Sequence, residues 1–119
     1  MVRFYEGTLL TESKSAFFTL DEIDGQRALS GKLYREFVRV PAMSAGLYVL
    51  AAGATDVQRP HHEDEMYYVV RGRARFRAGE VDREISAGSV LFVAAEVEHR
   101  FHDIQEELAV LVFFAPAES

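Results

Sequence analysis

The sequence predicts an all-β domain, built as an antiparallel sandwich or a small barrel. From residue 34 onward, short runs rich in β-branched, leucine and aromatic residues alternate with glycine-containing turns. Helical periodicity is almost absent, and no repeat, low-complexity stretch or linker divides the 119 residues. A chain of this length is long enough for one core and too short for two. We therefore expect one domain spanning residues 1–119.

The elements are predicted in chain order from their composition and turn residues. Residues 8–10 could form a short strand, and residues 21–23 resemble one helical turn that Gly25 stops, so residues 1–33 are expected to be a short, irregular N-terminal extension. Pro41 ends the first strand of the main sheet because it cannot donate to a ladder. The predicted strands are residues 34–40, 46–52, 65–70, 73–77, 82–85, 89–93, 99–104 and 108–114.

Composition excludes several functions. The net charge of −6 argues against nucleic acid and anionic membranes as partners, since both need a basic face. The absence of cysteine removes disulfides, thiolate metal ligands and cysteine nucleophiles. No apolar run resembles a signal peptide or approaches the ~20 residues of a membrane helix. A cytoplasmic protein is the expectation.

The densest functional signal is the run Pro60-His61-His62-Glu63-Asp64-Glu65. It holds two of the four histidines of the chain, and a third, His99, follows a later predicted strand. Imidazole and carboxylate together suit divalent iron, manganese, zinc or nickel. The run therefore indicates one half of a metal site, with His99 supplying the other half.

The spacing of the first run is specific. Gly53 is followed by five residues, Arg59-Pro60-His61, three residues, Glu65, six residues and Gly72. This resembles the first motif of the cupin family, which is Gly, five residues, His-x-His, three or four residues, Glu, six residues and Gly. The single departure is Arg59, which stands where the first histidine is expected.

A second run resembles the second cupin motif, which is Gly, five residues, Pro-x-Gly, two residues, His, three residues and Asn. Here Gly88 leads through five residues to Ala94, and His99 occupies the histidine position. Ala94, Glu96 and Asp103 replace the usual Pro, Gly and Asn. The resemblance covers about residues 46–114.

The resemblance implies an antiparallel double-stranded β-helix, or jelly-roll barrel, with Arg59, His61, Glu65 and His99 converging inside it. Three of these residues can bind metal, so His61, Glu65 and His99 are the expected ligands of a divalent Fe, Mn, Ni or Zn ion. Such a two-histidine, one-carboxylate set leaves coordination positions open and is associated with non-haem iron and O2 chemistry.

Several alternatives stay open for these side chains. His61 and His99 could be structural histidines, and Glu65 could form a buried salt bridge with Arg59 instead of binding metal. His62 has the opposite strand parity from His61 and is expected to be exposed, although it could replace the missing first histidine. Glu63 and Asp64 are expected at the cavity rim, and Glu63 is an outside candidate for a ligand.

Two further residues are candidates for catalysis or substrate binding. Tyr67 shares strand parity with Glu65 and could place its hydroxyl near a bound ligand. Arg59 cannot bind metal, but inside the cavity it could hold a substrate carboxylate or phosphate. Arg59 could equally point to solvent. His102 has the opposite parity from His99 and is expected to face solvent or an interface.

Two strand faces suggest what lies outside the barrel. The arginines alternating over residues 71–77 share one face, and the acids Glu80, Asp82 and Glu84 are expected to pair with them across strands. The apolar run 108–114 is too hydrophobic for a half-exposed edge strand. A homodimer that buries one sheet is therefore expected, as is common among small cupins.

The leading hypothesis is a metal-binding small cupin with dioxygenase activity on a small organic molecule, which an inward Arg59 would make an anionic one. A second hypothesis is a non-catalytic module that senses or sequesters an anionic ligand through Arg59 and Tyr67. A third is a metal-dependent isomerase, epimerase or lyase in which Tyr67 or a histidine moves a proton. One fold hosts many chemistries, so the resemblance does not separate the three.

Overall fold

The strands form one antiparallel sheet that curls into a barrel, as the sequence predicts. The computed structural model describes residues 2–6, 9–13 and 15–119, with the backbone alone for the first two ranges. The elements are β1 (Val2–Glu6), β2 (Leu9–Ser13), α1 (Leu20–Ser30), β3 (Tyr34–Val40), β4 (Met43–Leu50), β5 (Asp64–Ala78), β6 (Val81–Ser86), β7 (Val90–Val93) and β8 (His99–Ala115). The sheet order is β2-β1-β3-β4-β8-β5-β6, and β7 also pairs with β5.

The N-terminal region is more regular than the sequence suggests. β1 and β2 pair antiparallel, and β1 extends the main sheet by pairing with β3. β2 covers part of the strand expected at residues 8–10, while Thr8 lies outside the described residues.

The helix is longer than the single turn expected. The Thr19 hydroxyl caps it by accepting from the backbone N–H of Glu22, and Gly31 ends it in the left-handed conformation. Gly25 therefore lies inside the helix instead of stopping it. Packing of Ile23 against the sheet stabilises the helix despite the low helix propensity of an interior glycine.

The expected strand at residues 34–40 is confirmed, but the next one begins earlier. Val40 pairs with Met43 across a tight turn at Pro41 and Ala42, so β4 starts three residues before Gly46. The strands expected near residues 82–85 and 89–93 are present as β6 and β7.

The largest difference from the sequence expectation is that two pairs of predicted strands are each continuous. β5 runs for 15 residues through Gly72, and β8 runs for 17 residues through the polar stretch 105–107. Gly72 adopts a φ of +98° and lies against the backbone of Glu107 and Leu108. Gly72 therefore marks a bulge within β5 and not the turn that the sequence predicts.

β5 and β8 form a long ribbon that carries the barrel. They pair from Asp64 opposite Ala115 at one end to Ala78 opposite His99 at the other, with three register shifts between Val69 and Arg75. These irregularities bend the ribbon, as bulges do at barrel corners. The ribbon curls so far that residues from its opposite ends meet inside.

Two apolar clusters stabilise this arrangement. The larger one fills the barrel with the buried side chains of Leu50, Tyr67, Val69, Ala74, Phe76, Ile85, Val93, Phe101, Ile104, Leu108, Val110, Val112 and Phe114. The smaller one lies between α1 and the outer face of β4 and β8, and it contains Ile23, Leu47, Val49 and Ala109. No helix in the described ranges is both long and apolar enough to cross a bilayer.

Candidate metal centre

The loop of residues 51–63 brings His61 to the barrel mouth. The buried Asp56 carboxylate fixes this loop to β8 by accepting a hydrogen bond from the Phe101 backbone N–H at 2.9 Å. His61 itself is fixed through its carbonyl, which accepts from the backbone N–H of Glu96 at 2.7 Å. The irregular loop that carries the imidazole is therefore fixed at two points, Asp56 and the His61 carbonyl.

Glu65 and His99 lie on the regular strands. Glu65 follows the start of β5 and alternates with the exposed Asp64 and Met66, so its side chain points into the barrel. His99 is the first residue of β8, and its neighbour Arg100 is exposed. Their side chains meet because the ribbon formed by β5 and β8 curls on itself.

These three side chains converge as the sequence predicts. One ligand atom from each of His61, Glu65 and His99 lies within 4.8 Å of the others. Nε2 of His99 and Oε1 of Glu65 are 2.6 Å apart, both in side chains that are 1% exposed. The group could hold a metal ion.

The unpaired atoms at this point fit a cation. Apart from this 2.6 Å contact with each other, His99 Nε2 and the Glu65 carboxylate oxygens have no hydrogen-bond partner among the described residues. Buried polar atoms are normally satisfied, and two imidazoles with a carboxylate are suitable donors for a divalent transition ion. The donor set therefore fits the metal that the sequence implies.

The tautomer of His99 suits ligation. Its Nδ1 lies 2.8 Å from the Val97 carbonyl, which can only accept, so Nδ1 carries a proton and Nε2, which faces Glu65, is the nitrogen left to bind a metal ion. Burial disfavours the imidazolium, yet the contacts with the Glu65 carboxylate and the Val97 carbonyl outweigh it and raise the pKa of His99. The environment around Nε2 thus favours a positive charge.

His61 is held by two polar neighbours. Its Nδ1 lies 3.3 Å from Oε2 of Glu118, and its Nε2 lies 3.2 Å from Oε1 of Gln58. The ring packs against Phe114 at 4.9 Å between centroids and lies 5.4 Å from the His99 ring. Burial raises the pKa of Glu118, although the nearby His61 opposes this shift.

Two cavities open on either side of the group. One, of about 210 Å³, is lined by Tyr34, Tyr48, Gln58, His61, Val112, Phe114 and Glu118. The other, of about 450 Å³, is lined by Asp56, Val57, Gln58, Pro60, Arg77, Gly79, Glu98, His99 and Arg100. Gln58 belongs to both walls, and a small molecule could approach the ligand atoms from either side.

Tyr67 lies where strand parity places it. Its side chain is buried, and its hydroxyl donates to Gln58 Oε1 at 3.2 Å. Burial, with the nearby Glu65 carboxylate, raises the pKa of Tyr67 well above its ordinary value. The phenol therefore keeps its proton at neutral pH and acts as a hydrogen-bond donor.

Arg59 and His62 do not reach the group. Arg59 is exposed, which corrects the alternatives of an inward guanidinium and of a buried salt bridge with Glu65. His62 is exposed too, and its Nδ1 lies 2.7 Å from Glu96 on the surface, so His62 does not replace the missing histidine. The contact with Glu96 raises the pKa of His62.

The acids beside His62 have structural contacts. Glu63 is buried instead of lying at the rim, and its Oε2 accepts from the Ser119 backbone N–H at 3.2 Å. Asp64 is exposed and accepts from the Ala95 backbone N–H at 2.8 Å. Both carboxylates therefore link the start of β5 to neighbouring segments.

Sequence reasoning missed Gln58 and Glu118. The only signal for Gln58 is its place next to the missing motif histidine. Glu118 reaches His61 because the segment after β8 folds back, with the Glu118 backbone N–H donating to the Ser44 hydroxyl at 2.9 Å and its carbonyl accepting from Arg39 at 2.6 Å. Nothing in the sequence indicates that contact.

On the outer face the expected ion pairs are present in part, since Arg75 makes them while Arg71 contacts Asp24 and Glu107 instead. Arg75 contacts Asp82 at 3.1 Å and Glu84 at 3.8 Å across β5 and β6. His102 points away from the group, as its parity predicts, and lies 2.9 Å from Asp82. These residues form a charged surface unconnected with the metal centre.

Two departures from the second motif occupy special backbone positions. Glu96, where the motif has Gly, has a φ of +69°, and Asp103, where the motif has Asn, has a φ of +49°. Gly and Asn are the residues that adopt this left-handed region most readily. The backbone therefore keeps the motif geometry although the side chains differ.

Comparisons with known proteins agree with this geometry. A related protein, the uncharacterized protein SCO3923 of Streptomyces coelicolor, is 49% identical over 102 residues, which cover 86% of this chain and 97% of the relative. An RmlC-like cupin from Shewanella frigidimarina superposes with a TM-score of 0.63 at 21% identity, over 71% of this chain and 75% of its own. The DMSP lyase DddQ from Ruegeria pomeroyi gives a TM-score of 0.64 at 18% identity, over 69% of this chain and 45% of its own. The family model described as "Cupin domain" matches residues 46–115, and the chain therefore belongs to the cupin family.

Proposed function

We propose that this protein is a metal-dependent enzyme in which His61, Glu65 and His99 hold a divalent transition ion that acts on a small organic molecule. The observation that carries the proposal is the convergence of the three ligand atoms within 4.8 Å, from a loop and two strands. The unpaired buried atoms of Glu65 and His99 support it, since a cation is the partner that would satisfy all of them. Iron, manganese, nickel and zinc all accept this donor set.

The surrounding residues would position the ligands and the substrate. The Val97 carbonyl orients His99, and Phe114 packs against the His61 ring. The Tyr67 hydroxyl, which keeps its proton, would donate a hydrogen bond to an oxygen atom near the group. When bound, the ion would supply Lewis-acid or redox chemistry at this point.

Two arginines suit the larger cavity to an anionic substrate, against the opposing charges of Asp56 and Glu98 in the same lining. Arg77 and Arg100 line it beside His99, and the two arginines are directly opposite each other on β5 and β8. Like charges in that arrangement repel, so an anion between them would relieve the repulsion. In this proposal they would take the role in anion binding for which Arg59 is one candidate in the sequence.

Oxidation by O2 is the reaction we propose first. Two imidazoles and one carboxylate leave positions open, which is the arrangement associated with non-haem iron oxygenases. A lyase or isomerase reaction is the second candidate, because Glu118 lies in the smaller cavity beside His61 and could accept a proton. The structural similarity to a protein described as a DMSP lyase is compatible with this candidate.

Metal analysis tests the ligand assignment. Protein purified without chelator should hold about one equivalent of a transition metal, and His61→Ala, Glu65→Ala and His99→Ala should each hold far less. His62→Ala is the matched control, because His62 is adjacent but exposed, and it should keep the metal. Wild-type protein that holds no metal after incubation with iron, manganese, nickel or zinc would refute the assignment.

Turnover assays then separate the reactions. Metal-loaded protein is screened against small carboxylic acids, with and without O2, while O2 consumption and product formation are measured. Product that depends on O2 supports the oxygenase, and anaerobic product supports the lyase or isomerase. Metal binding without turnover on any substrate would favour the non-catalytic binding module.

We also propose that the protein forms a homodimer and works in the cytoplasm. Met66 and Tyr68 on β5 lie directly opposite Phe92 and Val90 on β7, and all four are exposed, with 44% of Met66 and 62% of Phe92 accessible. Helix α1 covers the neighbouring part of the same sheet, but no described residue covers these four. Light scattering should give a dimer mass for the wild type and a monomer mass for Phe92→Lys, whereas Val81→Lys, at an exposed position outside this face, should stay dimeric.

A further inference from the structure

We infer that Gln58 is a fourth ligand of the metal centre and supplies an amide oxygen in place of the histidine that Arg59 replaces. The inference rests on the proposed metal binding and deepens it by predicting which ion the site prefers. Gln58 lies one position before Arg59, the residue at the first histidine position of the first motif, and the motif does not specify position 58.

The amide oxygen of Gln58 lies beside His61, one of the three ligand residues. Oε1 is 3.2 Å from Nε2 of His61 and 3.2 Å from the Tyr67 hydroxyl oxygen. Both cavities beside the group are lined by Gln58. Arg59, by contrast, is exposed. The loop thus turns Gln58 toward the site where the motif would turn residue 59.

The orientation of the amide is fixed. Gln58 Nε2 donates to Oδ2 of Asp56 at 2.8 Å, and an ionised carboxylate can only accept. Asp56 is 5% exposed and is held by the Tyr48 hydroxyl at 2.8 Å and the Phe101 backbone N–H at 2.9 Å. A flipped amide would place two acceptors together at Asp56, so Oε1 faces the metal centre.

The distance between His61 and Gln58 leaves room for a shared ion. His61 Nε2 and Gln58 Oε1 are 3.2 Å apart. Two ligand atoms that are each about 2.1 Å from one ion lie about 3 Å apart, so this separation suits joint ligation. The alternative is a direct hydrogen bond between the two side chains, with the imidazole N–H donating to Gln58 Oε1.

A fourth oxygen ligand changes the metal preference. With Gln58 the set contains two imidazole nitrogens, one carboxylate and one amide oxygen, whereas a histidine at the motif position would give three nitrogens. Carboxylate and carbonyl oxygens suit harder ions such as manganese, and imidazole suits nickel, copper and zinc. The site should therefore favour Mn²⁺ and Fe²⁺ more than a three-histidine site does.

Metal titration of Gln58 variants tests the inference. Affinities for Mn²⁺ and Ni²⁺ are measured by competition with a chelating dye, and the visible absorption of bound Co²⁺ reports its coordination. Gln58→Leu should weaken Mn²⁺ binding about tenfold or more and change the Co²⁺ spectrum. Gln58→His should restore affinity and shift preference toward Ni²⁺. Arg59→Leu, at the adjacent exposed position, should match the wild type.

The outcomes are distinguishable. If Gln58→Leu binds Mn²⁺ within about twofold of the wild type with an unchanged Co²⁺ spectrum, Gln58 is only a hydrogen-bond partner of His61 and the inference is overturned. If the wild type binds no metal, the proposed function fails and this inference fails with it. Should Gln58→Leu not fold, a crystal structure of wild-type protein with Mn²⁺ decides, because Oε1 must coordinate the ion directly.

Discussion

Asp56 should be among the most sensitive positions for stability, although it lies in a loop. Its buried carboxylate accepts three hydrogen bonds, from the Tyr48 hydroxyl, the Gln58 amide and the Phe101 backbone N–H. Asp56→Ala removes all three acceptors at once. The Tyr48 and Gln58 side chains are half-buried and can turn to water, but the Phe101 N–H lies inside the barrel and cannot.

The magnitude follows from these contacts. A buried donor left without a partner costs ~1–3 kcal/mol, and a hydrogen bond to a charged group contributes ~1.5–3 kcal/mol. Partial recovery by water and the relief of burying a charge reduce the sum, so we expect Asp56→Ala to lower the free energy of unfolding by about 3 kcal/mol. For a domain of this size that corresponds to a fall in Tm of roughly 12 °C.

Urea denaturation followed by circular dichroism measures this effect. Asp64→Ala is the matched control, because Asp64 also accepts a backbone N–H at 2.8 Å but is exposed, and it should cost less than about 1 kcal/mol. A loss below about 1 kcal/mol for Asp56→Ala would refute the reasoning. So would equal losses for the two variants.

Three other changes test the backbone and the charged face. Gly72→Ala should lower the free energy of unfolding by about 3 kcal/mol, because the added Cβ would meet the backbone of Glu107 at a φ of +98°. Gly79→Ala is the control, since its φ is +58° and nothing lies within 4 Å of the added Cβ. In the same denaturation assay it should lower the free energy of unfolding by about 1 kcal/mol. Glu96→Gly should raise it by about 0.5–1 kcal/mol because the left-handed strain is removed, and an unchanged or lower Tm would contradict this. Desolvation acts to raise the pKa of Asp82, but the hydrogen bond from His102 and the contact with Arg75 outweigh it, so this pKa is lowered in the folded protein. Ionised Asp82 therefore stabilises the fold above the ordinary carboxyl pKa, and this stabilisation is lost as the pH falls through the lowered pKa of the folded state. His102→Ala should raise the Asp82 pKa in an NMR titration, and an unmoved pKa would count against the contact.

The sequence predicts the barrel and its three ligand candidates because each depends on local regularities. Alternation defines which side chains of β5 face inward, so Glu65 and Tyr67 are placed correctly. His62 is exposed as the same parity predicts, although it lies in the loop before β5. The spacing of the two motifs predicts that His61 and His99 share one site, which strand alternation alone does not predict for residues so far apart in the sequence.

What the sequence does not predict depends on tertiary contacts. Gly72 marks a turn in most contexts, and its role as a bulge follows only from the close approach of Glu107. Gly25 lies inside α1 because packing of Ile23 outweighs propensity. The orientation of Gln58 follows from Asp56, whose three donors come from separate parts of the chain.

The curled ribbon of β5 and β8 has a consequence for folding kinetics. His99 lies opposite Ala78 in the ladder and Glu65 lies opposite Phe114, so the ladder can form completely before the two ligand residues meet. A cation that binds both would act as a reversible cross-link between the ends of the ribbon. If the folding transition state precedes closure of the barrel, metal should slow unfolding far more than it speeds folding. Its dissociation rate would report how often the barrel opens.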